Sequence, residues 1–327
     1  MAMSGLCHAK VTGVCVNCHT MHNSQGGTAM ARQLNTGRTG FEADETPNPS
    51  LLTTDCAGCH SASGSSTWQD SITKAPIVFN TNTPATPLAG GNFRYVLDSD
   101  ARGHNVTGLT AKDSTFLTKN IPGSTTAYTQ LTCAGQYGCH GNRTAGNDDI
   151  AGVKGAHHTD DTGGITGASV GLSYRFLDSI LGKEDSDWEH DNTNNSHNEY
   201  KGSTGTATDT ISYLCATCHG KFHRWQGGAP EVGTASPWLR HPTDVVLKGT
   251  GEYANYITYS LVAPIARPDP TNVADTTVVT PGRDIIMCLS CHRAHGSPYY
   301  KMIRWDYKSA SLSTALSGCS VCHTSKN

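Results

Sequence analysis

Hydrophobic residues are thinly spread along this chain of 327 residues, and long periodic stretches of them are scarce. Residues 93–99 (FRYVLDS) and 243–249 (TDVVLKG) form short apolar segments, and residues 260–268 (SLVAPIARP) are interrupted by proline. Amphipathic helices and buried strands need longer stretches with a regular period. The pattern therefore predicts short helices joined by long loops, with regular structure well below the usual roughly 50–60% of residues. No run approaches the roughly 18 apolar residues of a membrane span.

The composition limits how large an ordinary hydrophobic core can be. Charged residues make up 16% of the chain, and there are only six Phe and five Trp. Thr, Ser, Asn and Gly are abundant, as expected of a protein that works outside the cell. The Gly/Ser/Thr-rich stretches 161–170 and 202–210 have the composition of surface loops and mark no domain boundary. We therefore predict one elongated domain, residues 1–327, whose core needs apolar material other than side chains.

Six sites share one cysteine and histidine pattern. Five of them read Cys-x-x-Cys-His, which is the attachment signature of c-type haem. Cysteines three residues apart lie on one face of a helical turn, where both thiols can form thioethers with one porphyrin. The next histidine then becomes the proximal iron ligand. The five sites are Cys15-Cys18-His19, Cys56-Cys59-His60, Cys215-Cys218-His219, Cys288-Cys291-His292 and Cys319-Cys322-His323.

The sixth site, Cys133 to Cys139 followed by His140, has five residues between its cysteines (CAGQYGCH). A loop there must bulge out and return, and Gly135 and Gly138 permit the backbone angles that this requires. Unrelated cysteines near a histidine, or a disulfide, remain the alternative for this site. A zinc site would not require a histidine directly after the second cysteine of each motif. A dithiol redox site is not indicated either, because no thioredoxin-like pattern surrounds the motifs. The prediction is six covalently bound haem c groups, which would supply the missing apolar bulk.

Ten further histidines are candidates for the distal ligands of six irons. His22, His223 and His295 follow a motif by three or four residues. Each is on the proximal side of its own haem, so an iron that it ligates must belong to a neighbouring haem. Close packing of the haems would follow, as electron transfer between them requires.

The other candidates stand in loops. His104 and His241 each follow an arginine that could pair with a haem propionate, and one of His157 and His158 is expected to be a ligand. His190 has the context of a solvated side chain, and His197 stays open. There are enough histidines to give every iron two histidine ligands. Such ligation favours low-potential electron transfer over catalysis, because it leaves no coordination position for a substrate.

Charge and export set further expectations. The net charge of −3 becomes more negative with the propionates of each haem, which argues against a nucleic-acid partner. Haem attachment requires an exported chain, yet no signal peptide is visible. We therefore expect that it has been removed and that numbering begins at or near the mature end. Cys7 is unpaired: a free thiol, an intermolecular bridge, a lipid anchor or a single-thioether seventh haem are all open.

The motifs together resemble a family of hexahaem cytochromes on the outer surface of metal-reducing bacteria, whose members polymerise into conductive filaments. The resemblance extends from end to end in the order CVNCHTMHNSQGG (15–27), RGHN, LCATCHGKFH, LRHP, CLSCHRAH and CSVCH. It implies a mostly coil multihaem cytochrome c fold, wrapped around a continuous stack of bis-histidine haems with alternating parallel and T-shaped contacts. It also implies a head-to-tail homopolymer outside the cell, in which His22 ligates the fifth haem, at His292, of the neighbouring subunit.

The family pattern assigns distal roles to His22, His104, His158 or His157, His223, His241 and His295. This chain departs from it at the third motif, which has an atypical spacing and no histidine nearby before His157, so His197 could replace one of these. Three functions stay open: a polymerising cytochrome that passes electrons to external acceptors or other cytochromes, a discrete multihaem carrier, and a nitrite- or hydroxylamine-type reductase. The last needs a five-coordinate haem, against which the surplus of histidines argues.

Overall fold

The structure is a computed structural model. It describes residues 14–15, 18–19, 56–114, 119–124, 127, 130–146, 149–159, 164–190, 196–223 and 240–325, and the backbone of residues 24–25, 28–29, 32–34 and 41–43. His8, His22 and Cys7 lie outside these residues.

Regular structure in the described residues comes only in short pieces. The α-helices have four to six residues: α1 (Ala57–His60), α2 (Asp149–Gly152), α3 (Ile211–Ala216), α4 (Leu312–Ala315) and α5 (Cys319–Cys322). Single 3₁₀ turns cover Phe93–Leu97, Asp100–Arg102, Ala156–His158, Val170–Leu172, Tyr174–Phe176, Gly220–Phe222, Gly251–Tyr253, Cys288–Ser290 and Tyr300–Met302. The predicted low content of secondary structure is confirmed.

The strands are two or three residues long. They are β1 (Ser24–Gln25), β2 (Thr28–Ala29), β3 (Arg32–Leu34), β4 (Phe41–Ala43), β5 (Ser61–Ala62), β6 (Phe79–Asn80), β7 (Gly182–Lys183), β8 (Glu199–Lys201), β9 (Val245–Val246), β10 (Ala266–Arg267) and β11 (Ile285–Ile286). Five of them form one mixed sheet in the order β7-β8-β10-β11-β9, in which only β8 and β10 are parallel. This small sheet links the segments that precede the fourth and fifth motifs.

Apolar side chains form several small clusters. One joins Tyr174, Tyr200, Ile211 and Met287 and so packs the start of α3 against the fifth motif. Another surrounds Tyr256, Tyr259 and Ile265, with Val321 and Cys322 of the sixth motif against it, and a third surrounds Phe79 and Phe93 beside the second motif. Each cluster therefore lies next to a haem motif, as expected if the remaining apolar contact area belongs to the cofactors.

The middle of the sheet also buries a charged network. Arg267 donates to Glu199 at 3.0 Å and is paired with Asp284, and all three side chains are almost fully enclosed. His197 stacks on Tyr259 with ring centroids 3.6 Å apart. Buried charges persist only when they are paired in this way, so the network makes the sheet a defined support for the motifs around it.

Candidate haem-binding centres

All six motifs have the same local backbone. The amide of the proximal histidine donates to the carbonyl of the first cysteine at 2.8–3.2 Å in every case. Four of the motifs lie on a turn of α1, α3, α5 or the 3₁₀ turn Cys288–Ser290. This hydrogen bond closes the turn, so both thiols and the following imidazole come to one side of the chain.

The third motif reaches this geometry although its cysteines are further apart. Cys139 and His140 both donate their amides to the carbonyl of Cys133, at 3.2 and 3.0 Å. The intervening residues bulge out through Gly135, which has φ +77°, and return at Gly138. A Cβ on Gly138 would lie 2.5 Å from backbone atoms of Ala134. The bulge therefore preserves the ends of the motif, as the sequence predicted.

Replacing Gly138 by alanine is expected to damage this site. The added methyl group has no space against the Ala134 backbone, and such overpacking typically costs about 1–3 kcal/mol. We expect substoichiometric attachment of one haem, measured by intact mass, and a lower urea midpoint. Gly220→Ala is the control because nothing lies within 4 Å of its Cβ position. Full haem loading and wild-type stability in Gly138→Ala would contradict this account of the bulge.

Four of the six proximal imidazoles are oriented through their Nδ1 atoms. In the second, third, fourth and fifth motifs, this atom lies 2.7–2.9 Å from a main-chain carbonyl oxygen. The carbonyls belong to Pro76, Arg175, Pro122 and Lys301. Because Nδ1 donates its hydrogen there, Nε2 carries the free lone pair, which is the tautomer that a metal requires.

Five of the six proximal histidines face a second histidine across a gap of nearly constant width. Two imidazoles bound to one iron at about 2 Å would place their ring centroids roughly 6 Å apart. The observed separations are 6.2–6.4 Å, so the residues fit a six-coordinate haem iron. The pairs are His19 with His158, His60 with His157, His140 with His295, His219 with His104, and His323 with His241.

Burial keeps several of these imidazoles neutral. It lowers the pKa of His104 and of His157 to about 4 and that of His295 to about 3. Burial also lowers the pKa of His60 and His140. A neutral ring is able to ligate a metal at physiological pH, whereas an imidazolium is not.

The fifth motif differs from the others. Nδ1 of His292 is held by the Lys301 carbonyl, but in the part of the chain that the structure describes no second imidazole faces it across such a gap. His22, which the family resemblance assigns to this position, lies outside the described residues.

Several histidines occupy positions that the sequence did not predict. Both members of the doublet face a proximal histidine, where the family pattern needed only one. His223 was expected to be a distal ligand, but its Nε2 lies 3.0 Å from the buried Asp244 carboxylate. His197 has both nitrogens near carbonyl oxygens, of Asn198 and Thr276, at 3.0 and 3.1 Å. The structure thus shows protein contacts for His223 and His197, and the ligand role assigned to His223 stays a prediction.

The cysteines of successive motifs lie close together. The thiols of Cys56 and Cys133 share a space with Asp149, all within 4.8 Å. Cys215 and Cys288 are coupled by a hydrogen bond that raises the pKa of the first and lowers that of the second. Burial, reinforced by the neighbouring Cys322, raises the pKa of Cys291 to about 12. The second motif thus adjoins the third, the fourth adjoins the fifth, and the fifth adjoins the sixth.

No helix in the described part of the chain is long and apolar enough to cross a bilayer.

Comparison with known proteins supports the interpretation of these motifs as haem c attachment sites. A doubled CXXCH motif model matches residues 280–327, which hold the last two sites. The C-type cytochrome OmcS of Geobacter sulfurreducens is 26% identical, and the alignment covers 98% of this chain and 85% of that protein. The resemblance inferred from the ordered motifs is thereby confirmed.

Two solved structures share the fold. One is a cryo-EM structure of OmcS nanowires from Geobacter sulfurreducens, with a TM-score of 0.53 and 18% identity over 97% of this chain and 99% of that one. The other is an outer membrane cytochrome S filament from the same organism, with a TM-score of 0.50 and 20% identity over the same shares. The predicted multihaem, loop-dominated fold class is confirmed by these likenesses and by the short elements described above.

Proposed function

We propose that this chain is a subunit of a polymerising hexahaem c-type cytochrome that transfers electrons outside the cell to external acceptors or other cytochromes. One observation carries the proposal: five proximal histidines each face a second histidine at 6.2–6.4 Å. When bound, haem c supplies reversible one-electron chemistry. Whole-chain similarity to a cytochrome known as a filament supports the assembly.

Each pair of cysteines would anchor one porphyrin, and each histidine pair would close both axial positions of its iron. Such ligation excludes substrate from the metal, so the chain's role is electron transfer and not catalysis. The carbonyl contacts of Nδ1 hold the imidazoles rigidly. Rigid, neutral ligands keep the change in geometry between oxidation states small.

Contacts between successive motifs support a continuous order from the second haem to the sixth. Cysteines of adjacent motifs lie close together at Cys56 and Cys133 and at Cys215 and Cys288, and Cys291 and Cys322 of the fifth and sixth motifs interact electrostatically. Cys139 and Cys218 interact in the same way between the third and fourth motifs. We propose that residues 1–327 form one haem-binding unit with this order as its axis.

The fifth site favours polymerisation. Among the described residues, His292 alone of the proximal histidines lacks a facing imidazole, and we propose that His22 of a neighbouring subunit supplies it. Two alternatives differ in the second ligand of this site. A discrete carrier would supply a histidine from its own chain, and a reductase would leave the position open for substrate.

Negative-stain electron microscopy of the purified, haem-loaded protein tests the proposal, together with its optical spectrum. Long uniform filaments with six haems per chain and only low-spin bands are the expected result. Compact particles at every concentration would favour the discrete carrier instead. A high-spin fraction of about one haem in six in wild-type filaments would favour the reductase.

A further inference from the structure

The sixth proximal histidine has a different partner from the other proximal imidazoles described above. Nδ1 of His323 lies 3.1 Å from Oε2 of Glu252, a carboxylate, where the second to fifth motifs have a neutral main-chain carbonyl. Within the described residues this buried nitrogen makes no hydrogen bond, although the Glu252 carboxylate lies beside it. The contact therefore acts mainly through the negative charge of Glu252.

Glu252 is held in place by the backbone around the motif. It lies on the 3₁₀ turn Gly251–Tyr253, and its own carbonyl accepts two hydrogen bonds from Thr324, one from the amide at 2.8 Å and one from Oγ1 at 2.6 Å. Thr324 directly follows the ligand His323. The turn and the sixth motif are thus tied together, and the carboxylate is a built part of the site.

Aromatic packing also holds Glu252 and His323 together. The ring of Tyr253 lies 5.0 Å from that of His323. Tyr253 and Cys322 both pack against the cluster around Tyr256 and Tyr259. Both imidazole and carboxylate are about four-fifths enclosed, with 21% and 23% of their side chains exposed. Partial exclusion of water leaves the charge of Glu252 less screened at the ligand than it would be at the surface.

We propose that Glu252 is a positioning residue that lowers the reduction potential of the sixth haem relative to haems whose histidines are held by carbonyls. The negative charge of a carboxylate beside the imidazole polarises the ring and makes it a stronger electron donor. A negative charge near the iron also favours the ferric state, which carries one more positive charge than the ferrous state. The inference rests on the proposed function, because it requires a haem at this motif.

The position of the sixth site means that a lower reduction potential there would affect the direction of electron transfer. Cys322 of this site packs against the same cluster as Ile286, two residues before the fifth motif, so haems bound at the two sites would be neighbours. A lower potential at the sixth haem makes transfer of one electron from it to the fifth haem downhill. Of these two haems, the sixth would then be the last to accept an electron and the first to donate one.

The test is a spectroelectrochemical titration of the haem-loaded Glu252→Gln variant. Glutamine keeps the size and the acceptor oxygen but removes the charge. We expect one haem in six to shift to higher potential, with the low-spin EPR signal of one haem changed and all six haems retained. Glu252→Asp, which retains the charge, should restore much of the wild-type potential.

Asp187→Asn is the matched control. Asp187 lies 3.2 Å from His190 Nδ1, a carboxylate–histidine contact of the same kind at a histidine that faces no proximal ligand. This variant should leave every potential unchanged. The inference is overturned if Glu252→Gln shifts no haem, shifts one downward, or shifts all six equally. Failure of the wild type to bind six low-spin haems would instead overturn the proposed function.

Discussion

Replacing His22 by alanine is expected to abolish the filaments and leave a soluble monomer in which one haem of six has an open axial position. The reason is that the described residues offer five facing pairs for six proximal histidines, and His292 is the one without a partner. A ligand donated by the neighbouring subunit would make the iron–nitrogen bond part of the subunit interface. Removing it therefore removes both the sixth ligand and the connection between subunits.

Electron microscopy and optical spectroscopy of the His22→Ala protein would measure the two effects together. Added imidazole should convert the open haem to a low-spin state without restoring filaments. His190→Ala is the control, because His190 is half exposed and contacts Asp187 in its own loop. Filaments that persist in His22→Ala, or a wholly low-spin monomer, would contradict the inter-subunit ligand.

Removing both cysteines of the fifth motif, by Cys288→Ser with Cys291→Ser, should destabilise the whole chain. This motif adjoins both the fourth and the sixth, and Met287 beside it is fully buried in the cluster around Tyr200. Loss of a buried aromatic side chain costs about 3–5 kcal/mol, and a haem presents more apolar surface than any side chain. We expect loss of at least this much stability and of one haem by mass.

The same double change at the sixth motif, Cys319→Ser with Cys322→Ser, is the matched comparison. This motif is also predicted to bind one haem, but among the described contacts its cysteines adjoin only the fifth motif, whereas the fifth motif adjoins two others. Intact mass and denaturant unfolding should show one haem lost in both proteins but a much larger drop in stability for the fifth motif. Equal losses of stability would show that the fifth site has no central structural role.

The attachment sites were predictable because everything that defines them is local. One hydrogen bond from the histidine amide to the first cysteine closes each turn, and even the long third motif obeys it. The glycines that let this motif bulge are also within it. The lack of long, periodic hydrophobic stretches likewise predicted short helices and strands, because no segment has a continuous apolar face to bury.

The distal ligands were less predictable because they are set by contacts between distant segments. His104 is held by the carbonyl of Ala294, 190 residues away, and faces His219. Both His157 and His158 face a proximal histidine because a 3₁₀ turn points consecutive rings in different directions. His223 has helical spacing from its motif, like His295, yet contacts Asp244.

The sequence by itself indicated the chemistry of this protein: six motifs of the haem c type with a histidine after each cysteine pair, the loop-rich character of the chain and the likeness to filament cytochromes. Only the tertiary structure decided which histidines face one another, which are enclosed by other partners, and where Glu252 meets His323. Thioether attachment depends on the spacing of residues that are neighbours in the sequence, and this spacing is visible in the sequence alone. Distal ligation and the charge beside a ligand depend on how loops from distant parts of the chain pack, and short motifs carry no information about that packing.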